Sequence, residues 1–226
     1  MKRRNMPLEL ALLPVVESGY KVEARSWQGA AGLWQITRPT ARQLNLKVNW
    51  WIDERLDPLA STRAALDYLQ QLHRQTGDWL LALAAYNAGL GNVWQAQKQF
   101  RRHNGREAGS FWQIQPYLPM ETRNYVPQLL AVLSAIRSLP TDKLPRIALK
   151  PTVRQLTFSS QIDLLRAQQK ADVKPEVFTR LNAAYRRPYT PPDGPHRLLL
   201  PTDAAGRLEL ALKKAPDLLA ASVGSS

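Results

Sequence analysis

A chain of 226 residues, 44% of them apolar and seven of them Trp, can bury one sizeable core and a small second one. Lys and Arg number 31 against 18 Asp and Glu, a formal net charge of +13, spread as 19 basic against 11 acidic residues before Leu149 and 12 against 7 after it; that even spread favours diffuse attraction to an anionic polymer over sequence-specific nucleic-acid binding. The lack of cysteine excludes disulfide and thiolate chemistry, His73, His103 and His196 lack zinc-ligand spacing and read as surface or capping residues, and no apolar run is long enough to span a bilayer.

Met1-Lys2-Arg3-Arg4 has the charge of a signal start, but Pro7 and Glu9 interrupt the apolar run after it and no small-residue cleavage site is present, so no targeting signal is read. Pro7 is expected to open a helix with an apolar stripe of Leu8, Leu12, Val15 and Val16, kinked at Pro14 and ended by a left-handed Gly19. Because that helix starts almost at Met1, a natural N-terminal portion carrying a targeting signal is expected to lie outside this chain. A loop rich in Trp and Gly comes next over Tyr20 to Leu33, then a short helix over Thr37 to Leu46. Asp57-Pro58 begins a helix in which Leu59, Thr62, Ala65, Leu66, Leu69 and Leu72 recur at helical spacing, and Gly77-Asp78 ends it. Trp79 to Asn87 is another apolar helix, stopped by Gly89 and Gly91, and Val93 to Arg102 continues helically.

His103 to Gly109 reads as an exposed loop, and Pro119 to Ser138 as a long helix with Tyr125, Leu129, Val132, Leu133 and Ile136 on one face. Three prolines among mixed charges mark a linker at 140–151. Thr152 to Thr157 is expected to be a strand, Ser159 to Lys170 and Lys174 to Ala184 two helices, and Arg197 to Leu200 a second strand; Ala204 to Ala221 is a final amphipathic helix or a frayed tail.

Glu17 closes the first helix, and no Asp or Glu occurs from Ala24 to Ile52. A carboxyl at the negative end of a helix dipole, among apolar neighbours, holds its proton more tightly than in water, which suits a general acid near neutral pH. The competing reading is a solvated glutamate at a helix end. A retaining glycosidase with an enzyme nucleophile needs a second carboxyl about 5 Å away, and an inverting one about 6.5–9.5 Å. Glu23 lies past the glycine turn, and Asp53, Glu54 and Asp57 cluster where a helix start uses them as caps. Pairing with a more distant carboxyl through the fold stays open on sequence alone.

Four blocks carry this glutamate and its expected neighbours: Glu17-Ser18-Gly19-Tyr20, Gly32-Leu33-Trp34-Gln35-Ile36 with Thr40, Ala84-Ala85-Tyr86-Asn87-Ala88-Gly89, and Glu121-Thr122-Arg123-Asn124-Tyr125-Val126. In this order they resemble the family 1 lytic transglycosylases, in the membrane-bound type D branch, over about Asn5 to Leu139. The resemblance implies a mainly helical, lysozyme-like catalytic (SLT) domain over 1–139. It also implies cleavage of the β-1,4 bond between N-acetylmuramic acid and N-acetylglucosamine in peptidoglycan without water, leaving a 1,6-anhydro ring. Glu17 is then the sole catalytic carboxyl, acid first and base second, and Ser18, Gln35, Tyr86, Asn87 and Tyr125 contact substrate.

Packing offers alternatives for several of these. Ser18 can bond the helix backbone. Trp34 can fill core in place of flooring a sugar subsite, and Glu121 with Arg123 can form a local ion pair in place of contacting substrate. Of Trp27, Trp50, Trp51 and Trp112, all able to stack on sugars, two are expected in the core. Gly29, Gly32, Gly89 and Gly91 are expected to make tight turns.

Residues 152–202 resemble a degenerate LysM module, with Asn182 where that family keeps an asparagine but Phe158-Ser159-Ser160 in place of a glycine-aspartate turn, and with a last loop lengthened by Pro191-Pro192-Asp193-Gly194-Pro195. Glycan binding by this small α+β module and a purely structural role are the two readings. Residues 203–226 are a C-terminal helix or tail. The expected partner is the peptidoglycan glycan strand, with no nucleic acid, no cofactor and no metal. The expected setting is the periplasm or cell envelope, as a monomer, with any outer-membrane attachment through a segment absent from this chain. The rivals are a lysozyme-like muramidase and a non-catalytic glycan-binding envelope protein.

Overall fold

The structure, a computed structural model, describes residues 1, 4–140, 142 and 151–219. The expected linker at 140–151 and the end of the tail therefore fall largely outside the described residues. Residue contacts divide the chain into two compact units, Met1–Gly19 with Thr62–Leu144 and Tyr20–Ser61 with Pro145–Ser226.

In the first unit, Leu8–Leu12 is a 3-10 helix and Leu13–Ser18 (α1) an α-helix. The expected kink does not arise, because Pro14 sits in the first turn of α1, where its missing N–H removes no helical bond. The tighter 3-10 winding also turns a different face inward. Leu10, Leu13 and Pro14 are buried, whereas Leu8 from the expected stripe is 53% exposed. Gly19 ends α1 at φ 58°, as expected.

Further along come Pro58–Thr76 (α3, after Arg38–Gln43, α2, in the other unit) and Trp79–Ala88 (α4). Ala65, Leu66, Leu69 and Leu72 bury one side of α3, while Leu59 is exposed. Asp78, expected to end α3, instead caps α4 by accepting from the Leu81 N–H at 2.8 Å. Leu81 to Ala85 are all buried, so α4 is apolar all round, as a helix inside a core must be. Gly89, at φ 85°, breaks the chain, but Leu90–Asn104 (α5) restarts at once and contains Gly91, so Gly91 is not a stop. The expected polar loop is correspondingly shorter.

Phe111–Ile114 (α6) and Met120–Arg137 (α7) complete this unit. Pro127 lies inside α7 and cannot bond the Arg123 carbonyl one turn earlier. The Gln115 side-chain N–H fills that vacancy at 2.8 Å, which keeps the first half of α7 in place. Thr122, Tyr125, Val126 and Leu129 form its buried face, and Val132, Leu133 and Ile136 are only half-buried.

The second unit joins the loop after Gly19 to the C-terminal residues. Val153–Phe158 (β1), Leu164–Ala171 (α8), Pro175–Leu181 (α9), His196–Pro201 (β2) and Thr202–Lys214 (α10) follow in order. The strands pair antiparallel, from Val153 opposite Pro201 to Phe158 opposite His196. Leu156, Ile162, Phe178, Leu198, Leu200 and Leu208 make the core. α8 starts five residues later than expected because the Asp163 carboxylate accepts from the Arg166 N–H at 3.0 Å and fixes the first turn there.

The strap 47–54 is tied to the segment after α9 by backbone bonds that nothing in the sequence announces. The Asp53 N–H donates to Ala184 O at 2.8 Å, and the Arg186 N–H to Trp51 O at 2.9 Å. Arg197 also pairs with Glu54 at 2.6 Å. Asn182 is a structural residue here: its amide donates to Phe178 O and Leu199 O and accepts from the Leu199 N–H, stitching α9 to β2.

Arg55, 1% exposed, organises the Trp- and Gly-rich loop. Its guanidinium makes a two-point pair with Asp53 at 2.9 and 2.8 Å and donates to Gly29 O at 2.8 Å and Ile36 O at 3.1 Å. Burial alone would raise the Asp53 carboxyl, but its hydrogen bonds and charge contact with Arg55 hold it below the usual carboxylate range. Gly32 passes so close to this strap that an added Cβ would lie 1.9 Å from the Arg55 carbonyl oxygen, at a backbone φ of 83°. Gly32→Ala is expected to destabilise this unit by about 2–4 kcal/mol, read as a lower midpoint in urea unfolding.

Candidate active site

Glu17 is the penultimate residue of α1, half-buried, and accepts a short hydrogen bond on Oε1 from the hydroxyl of buried Tyr125 on α7. Burial pushes its carboxyl up from 4.5 to about 7; the Tyr125 hydrogen bond opposes this, and the charge of Glu121 adds to it. At neutral pH the side chain is thus poised between its protonated and ionised forms. Tyr86 on α4 and Tyr125 are both held well above the ordinary phenol value, by burial first and then by the Glu17 charge, so both remain hydroxyl donors. The Tyr86 ring packs at 5.8 Å against that of Tyr68 on α3.

Asn87, the next residue on α4, is oriented by α7. Its Oδ1 accepts from the hydroxyl of buried Thr122 at 2.8 Å, and its Nδ2 lies 3.5 Å from Glu121 Oε1. The amide is thereby turned with its N–H side toward Glu121. A second N–H of the same group is left for a carbonyl acceptor, such as an acetamido oxygen.

The first unit therefore brings together Glu17, Tyr86, Asn87 and Tyr125. Ser18 is beside them in sequence, and its hydroxyl donates to Pro14 O at 3.2 Å, the helix-backbone bond that was the alternative for it. Gln35 lies in the second unit, where its Nε2 donates to Gly32 O at 2.9 Å and reaches Ala24 O at 3.4 Å. Its backbone is left-handed, φ 44°, which costs about 1–2 kcal/mol for a residue with a Cβ, and these loop bonds offset that cost.

Several expectations are corrected. Arg123 does not pair with Glu121 but donates to Leu118 O at 2.7 Å, closing the turn before α7. None of the four candidate sugar-stacking tryptophans is in the core: Trp27 is 92% exposed, Trp50 and Trp112 are exposed, and Trp51 is half-buried. Trp34 is core, at 3%. His73 stacks on Trp79 at 4.0 Å and His196 is buried, so neither is a plain surface residue.

Thr122 and Tyr68 are parts of the site that the motifs do not assign, and Glu121 joins it through its charge on Glu17. Thr122 had a signal, since it stands three residues before Tyr125 and so faces the same way from α7. Among the described residues, no group of three or more His, Asp or Glu is placed to hold a metal ion.

Glu121 and Tyr125 act on Glu17 with opposite sign. Glu121→Gln removes a negative charge and is expected to move the Glu17 titration to lower pH. Tyr125→Phe removes a donor to the carboxylate and is expected to move it higher. Each shift should be a fraction of a pH unit to about one, read from the descending limb of the rate profile.

Residues 1–108 match the family model described as the transglycosylase SLT domain, and residues 152–217 match that of the LysM-like domain of lytic transglycosylase MltD. The chain belongs to the SLT-domain lytic transglycosylases, in the branch that carries this LysM-like domain. It is 34% identical over 215 residues to membrane-bound lytic murein transglycosylase D of Escherichia coli (strain K12), a match covering 94% of this chain and 47% of that protein. The chain thus spans about half the length of this curated relative.

Membrane-bound lytic murein transglycosylase F of Yersinia enterocolitica is 34% identical over 126 residues, 52% of this chain and 24% of that protein. The solved structure of lytic transglycosylase Slt from Pseudomonas aeruginosa aligns with 60% of this chain and 22% of its own, at 28% identity and a TM-score of 0.48. The fold class expected from sequence, mainly helical and lysozyme-like with a small α+β module, is borne out by the helical structure, the two-stranded sheet and the SLT match.

Proposed function

We propose that this chain is a peptidoglycan lytic transglycosylase, and that Glu17 alone supplies its acid and base. The observation that carries this is one carboxyl with its pKa raised to about 7, held by a neutral tyrosine hydroxyl from α7, the helix that also orients the Asn87 amide through Thr122. Protonated Glu17 gives its proton to the bridging oxygen as the bond to the anomeric carbon breaks. The resulting carboxylate takes the proton from the C6 hydroxyl as that oxygen attacks the same carbon, closing the 1,6-anhydro ring with no water consumed. Asn87 and Tyr125 are assigned to the acetamido group, whose oxygen stabilises the cationic carbon, and Tyr86 to holding the acid.

Other carboxylates have occupations of their own, which supports the single-carboxyl reading. Asp53 is taken by Arg55, Glu54 by Arg197 and the Lys47 N–H, and Asp57 by the start of α3. Glu121 bonds Asn87 and acts on Glu17 through its charge. The relatives' names support a place in the bacterial envelope, and no helix among the described residues is long and apolar enough to cross a membrane.

Purified sacculi digested with the chain should release muropeptides lighter by one water than those from a muramidase. Reducing-end muramic acid as the main product would instead establish the hydrolase, and binding without release the glycan-binding protein.

A further inference from the structure

The second unit holds a pocket of about 230 Å³ between the strap 47–54 and the proline-rich loop before β2, apart from the residues assigned to catalysis. Its walls include Trp51 and Tyr185, and its polar residues include Lys47, Asp193 and His196. The frame is rigid. Ile52 bridges to Tyr185, the Tyr185 hydroxyl donates to Arg197 O at 2.6 Å, and Glu54 is neutralised by Arg197.

Two features of this frame are left without a use in the fold. His196 is 2% exposed, yet its Nε2 has no hydrogen-bond partner; it and Arg187 Nε, nine residues earlier in the same segment, are the buried orphaned side-chain nitrogens among the described residues. Such a group costs on the order of 1–3 kcal/mol when unsatisfied. The Lys47 ammonium and the Asp193 carboxylate also have no ion-pair partner among the described residues, and both lie near enough to the His196 ring for their charges to act on it. Burial holds that ring below its ordinary pKa, against the pull of Asp193 and with the help of Lys47, so it is neutral at pH 7.

We infer that this pocket binds a free dipeptide in zwitterionic form, its C-terminal carboxylate toward Lys47 and its N-terminal ammonium toward Asp193. The volume is below the roughly 300 Å³ at which drug-sized ligand pockets begin and suits one or two small residues. Lys47 and Asp193, opposite charges without ion-pair partners among the described residues, line one pocket with Trp51 and Tyr185 and match a molecule carrying both signs; sugar hydroxyls would hydrogen-bond to either but neutralise neither.

The probe is alanyl-alanine added to the full chain, followed through the imidazole signals of His196, with His73 and His103 as internal controls. The expected result is saturable shifts at His196 alone, and affinity at least about fivefold weaker for N-acetyl-alanyl-alanine, for alanyl-alaninamide, and for the Lys47→Met and Asp193→Asn variants. Lys47 and Asp193 are exposed, so neither substitution should disturb the fold. The inference is overturned if alanyl-alanine leaves His196 unmoved up to its solubility limit, if the capped peptides bind as well as the free one, or if diacetylchitobiose shifts the same signals. No bond is broken in this assay, so its outcome is independent of the chemistry assigned to Glu17.

Discussion

Glu17→Gln is expected to lower the rate of glycan cleavage by about 10³-fold or more while leaving the chain folded and able to bind glycan. General acid–base catalysis by a positioned group is worth about 10²–10⁴-fold. Here one carboxyl serves both steps, so its loss removes both contributions. A second consequence has the opposite sign. Because the folded-state pKa is raised from 4.5 to about 7, the folded form binds the proton more tightly. The stability this contributes is fully present below 4.5 and is lost as pH rises through 7.

The uncharged amide escapes that loss. Glu17→Gln should therefore match the wild type in stability near pH 4 and exceed it at pH 8, by ~2 kcal/mol after allowing for partial exposure. Activity lost and alkaline stability gained together point to a carboxyl kept for chemistry. A variant with unchanged stability at both pH values would show Glu17 to be a solvated surface residue.

Arg55→Met is expected to cost about 3–5 kcal/mol in the second unit, because it leaves the buried Asp53 carboxylate with only the exposed Arg25, at 3.7 Å, as an ion-pair partner and frees the Gly29 and Ile36 carbonyls. For a chain of this size that is a fall of roughly 10 °C in the unfolding transition, measurable by calorimetry. Pairing it with Asp53→Ala should recover part of the loss, since an apolar pair no longer holds a stranded charge. Recovery should be incomplete, as the two carbonyls remain without their donor. Asp53 has its pKa lowered, so its contribution is present above 3.8 and is lost as pH falls through its folded value. Wild-type stability should thus drop in strong acid, and that drop should vanish in the double variant. If Arg55→Met melts as the wild type does, the clamp on the Gln35 loop is not what holds it.

Local chemistry was the part of the fold legible in the sequence. Glycine after Glu17, threonine before Pro39 and the apolar periodicity of α3 each act within a few residues, and each does in the structure what its residue type favours. Pro14 and Gly91 were misjudged because the same residue type serves at a helix start and at a helix break, and only the true boundary, one turn away, decides between them.

The site divides in the same way. Glu17 stands out as an acid closing an apolar run, whereas Tyr86, Asn87 and Tyr125 are legible through the motif blocks that resemble the family. The groups that orient them, Thr122 through its hydroxyl and Glu121 through its charge, are ordinary residues of α7 whose role comes from packing against α1 and α4. The tie between the strap 47–54 and the segment after α9 is carried by backbone groups, which leave no trace in side-chain identity. Exposed Trp27, Trp50 and Trp112 show the converse, since hydrophobicity alone misplaces an aromatic that the fold leaves in solvent.

The most direct measurement is the titration of the Glu17 carboxyl carbon by NMR, assigned by comparison with Glu17→Gln. A midpoint near 7, moving down in Glu121→Gln and up in Tyr125→Phe, is the predicted result. A midpoint near 4.5, insensitive to both substitutions, would contradict it and leave the proposed reaction without its acid.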